Sequence, residues 1–147
     1  MLKNKEKKEI TSMQVVCFKI GEEEYGLEIL KVQEILKLPK VTKLPKSADY
    51  ILGVIDLRGQ VIPIRDQSQG DNLRAVVVEI NNKKAGLAID SVSHVVRIDS
   101  KDIEPPPPIV RGISGKYIIG IAKIDSGFIV ILDIDQIFSH DELHTIS

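Results

Sequence analysis

Apolar and polar positions alternate through short stretches of this chain. Val16, Phe18 and Ile20 alternate with Cys17 and Lys19, a period of two that predicts a strand. Gly21-Glu22-Glu23-Glu24 reads as a turn, and Tyr25 to Ile29 resumes the alternation, completing a hairpin. Val76, Val78 and Ile80 repeat the pattern and run into Asn81-Asn82, residues that tolerate positive φ in a tight turn. Ile29, Val32, Ile35 and Leu36 are spaced by three and four, so a helical turn before or within a short strand stays open. The β-branched run Ile51 to Leu57 turns at Arg58-Gly59 into Gln60 to Ile64. Pro63 has no N–H to donate, which predicts an edge strand or a bulge there. Tyr117 to Ile124 leads through Asp125-Ser126-Gly127 into Phe128 to Leu132. Asp133 is a candidate N-cap for a short helix reaching Phe138.

The alternation is organised by an internal repeat. Val16, Ile20, Gly26, Leu27, Ile29 and Val32 recur sixty positions later as Val76, Ile80, Gly86, Leu87, Ile89 and Val92. Tyr50, Ile51, Gly53, Ile62, Ile64 and Asp66 recur after sixty-seven positions as Tyr117, Ile118, Gly120, Ile129, Ile131 and Asp133. The extra residues fall after Pro105, in a connection, where insertions are tolerated. Each copy offers about five short strands, the pattern of a small closed barrel. The expected fold is all-β, with two five-stranded barrels related by a pseudo-twofold and a short C-terminal helix. Residues 1–13 are expected as an N-terminal tail, 14–72 and 73–138 as the two repeats, and 139–147 as a C-terminal tail. Val15, Cys17, Ala75 and Val77 are apolar on the face opposite Val16 and Phe18. A sheet apolar on both faces is covered on both. These strands are therefore expected between the barrels, with Val15 and Cys17 on the outward side, and strand exchange between the barrels is compatible with this. Pro105 to Pro108 is expected as a stiff strap within the second unit.

Composition narrows the function classes. The chain has 147 residues, 20 basic and 21 acidic, for a formal net charge of -1, so no excess positive charge is available for a phosphate backbone. Three Phe, three Tyr and no Trp leave little for base stacking. No apolar run approaches the roughly 20 residues that span a bilayer. A cytoplasmic location without direct membrane insertion is expected. Cys17 is the only cysteine, lies in an apolar run, and reads as a small buried hydrophobe. His140 and His144 would share a helical face, but no third ligand accompanies them in sequence. No nucleotide-binding or hydrolase motif is present. No catalytic residue, metal or cofactor is expected.

Several stretches resemble the CheW-like domain family. They are Tyr25 to Ile35 (YGLEILKVQEI), Ile51 to Gly59 (ILGVIDLRG) followed by Val61-Ile62-Pro63-Ile64, Gly86 to Val92, and Ile103 to Pro107. The likeness runs from about Gln14 to Phe138. Asp56 stands where the family often has Asn, and 65–72 is shorter than the family's partly helical connection. The resemblance implies two SH3-like barrels packed together. It also implies a non-catalytic adaptor between the cytoplasmic tips of methyl-accepting chemoreceptors and the regulatory domain of the histidine kinase CheA, recruited to receptor arrays through these partners. Two alternatives are a detached regulatory domain of such a kinase and a small-barrel nucleic-acid binder.

By the same resemblance, Val32, Glu34 and Arg58 match positions implicated in partner contacts. Arg58 offers planar, forked donors at a hairpin tip. Val32 recurs as Val92, which weighs toward a core role, whereas Glu34 is replaced by His94 and is not required by the fold. Ile35 and Leu36 are candidates to line an apolar groove between the barrels. Gly53 and Gly59 serve backbone geometry first, with close approach of a partner as a second role for Gly53.

Overall fold

The computed structural model describes residues 12–45, 51–66, 73–110, 113–125 and 127–138. Residues 1–11 of the expected N-terminal tail, the expected C-terminal tail at 139–147 with His140 and His144, and residues 67–72 of the short connection at 65–72 lie outside the described residues. The first repeat supplies β1 (Ser12–Ile20), β2 (Glu23–Glu28), β3 (Val32–Lys37), β4 (Ile51–Leu57) and β5 (Gln60–Asp66). The second supplies β6 (Arg74–Ile80), β7 (Lys83–Ile89), β8 (Ser91–Asp99) and the short β9 (Ile103–Glu104), β10 (Ile109–Val110) and β11 (Ile113–Ser114). It ends with β12 (Ile118–Ile124), β13 (Gly127–Leu132) and the helix α1 (Ile134–Ile137). β1 begins inside the expected tail, because Ser12 and Met13 pair with Asp99 and Ile98. A 3₁₀ turn at Ile29–Lys31 precedes β3, so the mixed spacing there is a helical turn followed by a strand.

The two barrels do not coincide with the two repeats. One sheet runs β8-β1-β2-β13-β12-β9 and the other β3-β6-β7-β5-β4. The hairpin β1–β2 is thus seated among strands of the second repeat, and the hairpin β6–β7 among strands of the first. Each hairpin joins its host barrel by a parallel seam, Ile131 opposite Gly26 and Ile64 opposite Gly86. The two orders are equivalent under the repeat as far as β12 and β4, beyond which β9 adds a sixth strand to the first sheet and the isolated Thr42–Val54 bridge borders the second.

Three apolar cores follow. Val15, Cys17, Ile98, Ala122, Ile129 and Ile131 fill the interior of the first barrel. Ile55, Leu57, Ile62, Ile64, Val77 and Ala88 fill the second. Between them lie Phe18, Leu27, Val76, Val78, Leu87 and Val130, capped by Ile134, Ile137 and Phe138. The hairpins do lie between the barrels, but their faces are the reverse of the expectation. Val15, Cys17 and Val77 point into barrels, while Phe18, Val76 and Val78 face the neighbouring barrel. Alternation alone does not distinguish two equally apolar faces. Burying a side chain such as Phe18 or Leu27 contributes about 1.5–3 kcal/mol, so the shared core binds the barrels into one cooperative unit.

Pro63 sits in an interior strand. β5 lies between β4 and β7, so the edge expectation fails, while the bulge expectation has a neighbour: the register of β4 against β5 shifts between Ile51 and Gly53, opposite Arg65 and Ile64. The parallel pairing with β7 begins only at Ile64. On the other side Pro63 faces Val54, whose N–H and C=O are both bonded to Thr42 at 2.9 Å. The missing N–H therefore removes no ladder bond.

Asp133 caps α1, its carboxylate accepting from Gln136 N–H at 3.4 Å. Arg65 Nη1 donates to Ile137 O at 3.4 Å and the guanidinium lies 6.0 Å from the Tyr117 ring centre, linking the end of β5 to α1. Pro105 to Pro107 border a hollow whose other walls include Ile121, Phe128 and Val130. Pro108 O accepts from Gly115 N–H at 2.6 Å, which fixes the run against its own barrel.

Candidate partner-binding surface

β3 forms one edge of the five-stranded sheet and β4 the other. The chain beyond β3 closes the gap. Leu38 N–H donates to Leu73 O at 3.0 Å, and Thr42 then pairs with Val54 of β4. Gly53 permits that closure. A Cβ there would stand 2.4 Å from Thr42 O, and its φ is +154°. Gly120, its repeat partner, is closed over in a comparable way in the first barrel, with a Cβ 2.7 Å from Glu104 O. The space over Gly53 is thus filled by this chain's own backbone, so its geometric role accounts for the residue.

A bulge at Gln33 sets the faces of β3. Val32 lies opposite Val78, Glu34 opposite Val77 and Ile35 opposite Val76. The extra residue turns Val32 and Ile35 toward the inter-barrel side, and Glu34 and Leu36 toward the barrel mouth. Val32 is partly buried against the inter-barrel core. Leu36 packs on the interior of its barrel. Ile35 stays exposed at the margin.

The β4–β5 turn carries Arg58 at φ 50° and Gly59 at φ 88°. Gly59 N–H donates to Asp56 Oδ1 at 2.9 Å, a bond that Asn in the same place would also accept. Arg58 Nη2 is ion-paired with Glu34 Oε1, which joins the β3 edge to the hairpin tip across the barrel mouth. The Arg58 side chain is 67% exposed. A pair so open to water is worth at most about 1 kcal/mol, so it orients the guanidinium more than it stabilises the fold. Glu34, Arg58 and Gly59 therefore lie at the mouth of the second barrel, Val32 and Ile35 lie on the other face of β3, and Gly53 sits near the start of β4 against Thr42.

Sequence reasoning passed over Val61. It lies opposite Asp56 beside the turn and is 68% exposed. Its phase was the signal, since Ile62 and Ile64 point inward and Val61 points out. Val92 and Val95, which the repeat offset pairs with Val32 and Ile35, are exposed along β8 at the edge of the other sheet, so the recurrence of Val32 as Val92 does not mark a core position.

The Cys17 thiol is buried. Burial first, and the Glu24 carboxylate second, push its pKa up to about 11. It is a protonated thiol at neutral pH, the opposite of an activated nucleophile.

The sequence matches the CheW-like domain family model over residues 14–142. It is 31% identical to the chemotaxis protein CheW of Treponema pallidum over 91% of this chain and 86% of that protein. It is 30% identical to the chemotaxis protein CheW of Klebsiella aerogenes over 92% of this chain and 87% of that protein. The fold superposes on the crystal structure of the scaffolding protein TtCheW from Thermoanaerobacter tengcongensis with a TM-score of 0.81 and 36% identity, covering 90% of this chain and 91% of that one. Family match, relatives and shared fold extend over nearly the whole described molecule, and the chain belongs to the CheW-like domain family.

Proposed function

We propose that this chain is a chemotaxis scaffold that couples the cytoplasmic tips of chemoreceptors to the regulatory domain of the kinase CheA. It works by binding, without chemistry of its own. The observation that carries this reading is the surface at the mouth of the second barrel. A forked cation, Arg58, is held out by Glu34 at a turn, with exposed apolar Val61 beside the turn and Ile35 exposed on the other face of β3. An Arg flanked by apolar side chains is the composition of an interface anchor. Val32 and Ile35 offer an apolar margin for a receptor helix, and Arg58 with Gly59 offers a protruding tip for a carboxylate or backbone carbonyl of either partner. Among the described residues no helix is long and apolar enough to cross a membrane. Recruitment from the cytoplasm to receptor arrays then runs through the partners.

The test is a titration of Arg58→Ala and Ile35→Ser against a receptor tip fragment and the kinase regulatory domain, with folding checked by thermal melting. Arg58→Ala is expected to weaken at least one partner by roughly 5- to 150-fold, about 1–3 kcal/mol. Unchanged affinity of both variants for both partners would remove this surface from the function.

A further inference from the structure

Three side chains that the scaffold reading does not use meet on one face of the first barrel. Cys17 of β1 lies opposite His94 of β8, and Glu24 of β2 completes the group. The Cys17 Sγ, a Glu24 carboxylate oxygen and a His94 ring nitrogen all lie within 4.8 Å of one another. His94 Nδ1 is already 4.0 Å from Glu24 Oε2. We infer that Cys17, Glu24 and His94 form a binding site for a zinc-class divalent cation.

Thiolate, imidazole and carboxylate are the donor set of zinc, and three protein ligands with a water in the fourth position is an established geometry. Donors around a tetrahedral zinc are about 3.5 Å apart, so a rotation of order 1 Å closes this group. His94 can supply it, because its side chain is 47% exposed. Cys17 is buried, Glu24 half-buried and His94 exposed, so the group runs from the barrel interior to the surface and an open position would face the His94 side. Binding replaces the S–H proton of Cys17, which leaves to solvent, with a sulfur–metal bond.

The repeat supplies an independent comparison. The same three positions in the other barrel are Val77, Lys84 and Glu34. Val77 is a plain core residue, and Glu34 pairs with Arg58. The fold therefore does not require donors at these positions, yet in one barrel all three carry them. An ion held there ties the edge strand β8 to β2 across β1.

The experiment titrates the full-length, metal-free protein with Co²⁺ alone and follows thiolate-to-cobalt charge-transfer absorption in the near ultraviolet. Zn²⁺ is then added as competitor. One Co²⁺ per chain is expected, displaced by Zn²⁺, with a melting temperature that rises with Zn²⁺ concentration. Cys17→Val, which installs the residue found at the equivalent position of the other barrel, loses the band while still melting cooperatively in EDTA. His94→Gln and Glu24→Gln each weaken binding at least about tenfold, since even outer-shell partners are worth about 10–100-fold. The double variant His140→Gln, His144→Gln keeps the band. Absence of the band, affinity unchanged in both His94→Gln and Glu24→Gln, or loss of binding with the tail histidines overturns the site.

Discussion

At Gly53 a single methyl group would collide with Thr42 O, whereas at Gly59 nothing lies within 4 Å of the missing Cβ. The two glycines thus respond differently to alanine. Gly53→Ala adds a clash to a positive φ and is expected to cost about 2–4 kcal/mol. Gly59→Ala meets only the left-handed backbone penalty of about 1–2 kcal/mol. Urea denaturation of both variants measures the difference, and equal losses would contradict the closing role of Gly53. Cys17 makes a second residue-level prediction. Its folded pKa, about 11, lies above the ordinary value, so the folded state holds the proton more tightly. The contribution is fully present below about pH 9 and is lost as pH rises toward 11, by up to about 3 kcal/mol. Denaturation in EDTA at pH 7 and pH 10.5 should show a smaller alkaline loss in Cys17→Val than in the unmodified chain.

Among the elements, the β4–β5 hairpin is the one whose local chemistry and exposed surface disagree. Arg58 occupies a positive φ that Asn or Gly adopts with less strain. In the β6–β7 turn, Asn81 and Asn82 hold the equivalent conformation at φ 53° and 68°. Arg58→Asn is expected to leave stability unchanged or raise it by up to about 1 kcal/mol, while weakening partner binding as Arg58→Ala does. Melting curves and titrations on the same sample test this. A variant that is both less stable and fully competent in binding would make Arg58 a structural residue. Most elements were legible beforehand, because period-two alternation and turn residues are local signals. The bulge at Gln33 was not, since it depends on how β3 registers against β6. That bulge is what puts Val32 and Glu34 on opposite faces, where plain alternation would have put them on one.

For the whole molecule, strand exchange sets how the chain can come apart. Neither repeat contains a complete barrel, because β1–β2 needs β8, β12 and β13, and β6–β7 needs β3, β4 and β5. Fragments 1–72 and 73–147 are therefore expected to be unfolded or self-associating alone and to form a one-to-one complex with native circular dichroism when mixed. Size-exclusion chromatography and thermal melting of each fragment and of the mixture check this. A cooperative melt of either fragment as a monomer would show that a repeat is self-sufficient. The intact chain should unfold in one transition, since the inter-barrel core draws on both hairpins.

The sequence by itself determined most of the strands, the repeat, the tight turns at Asn81-Asn82 and Arg58-Gly59, and the cap at Asp133. Each of these is written in side-chain periodicity or in residues with a local backbone preference. Tertiary structure decided which barrel each hairpin joins, which of two apolar faces of β1 and β6 looks inward, and why Pro63 is tolerated in an interior strand. It also decided that Glu34 meets Arg58, and that Cys17 and Glu24 meet His94 from the other repeat. These depend on pairing between distant segments, and a period of two carries no information about the partner strand.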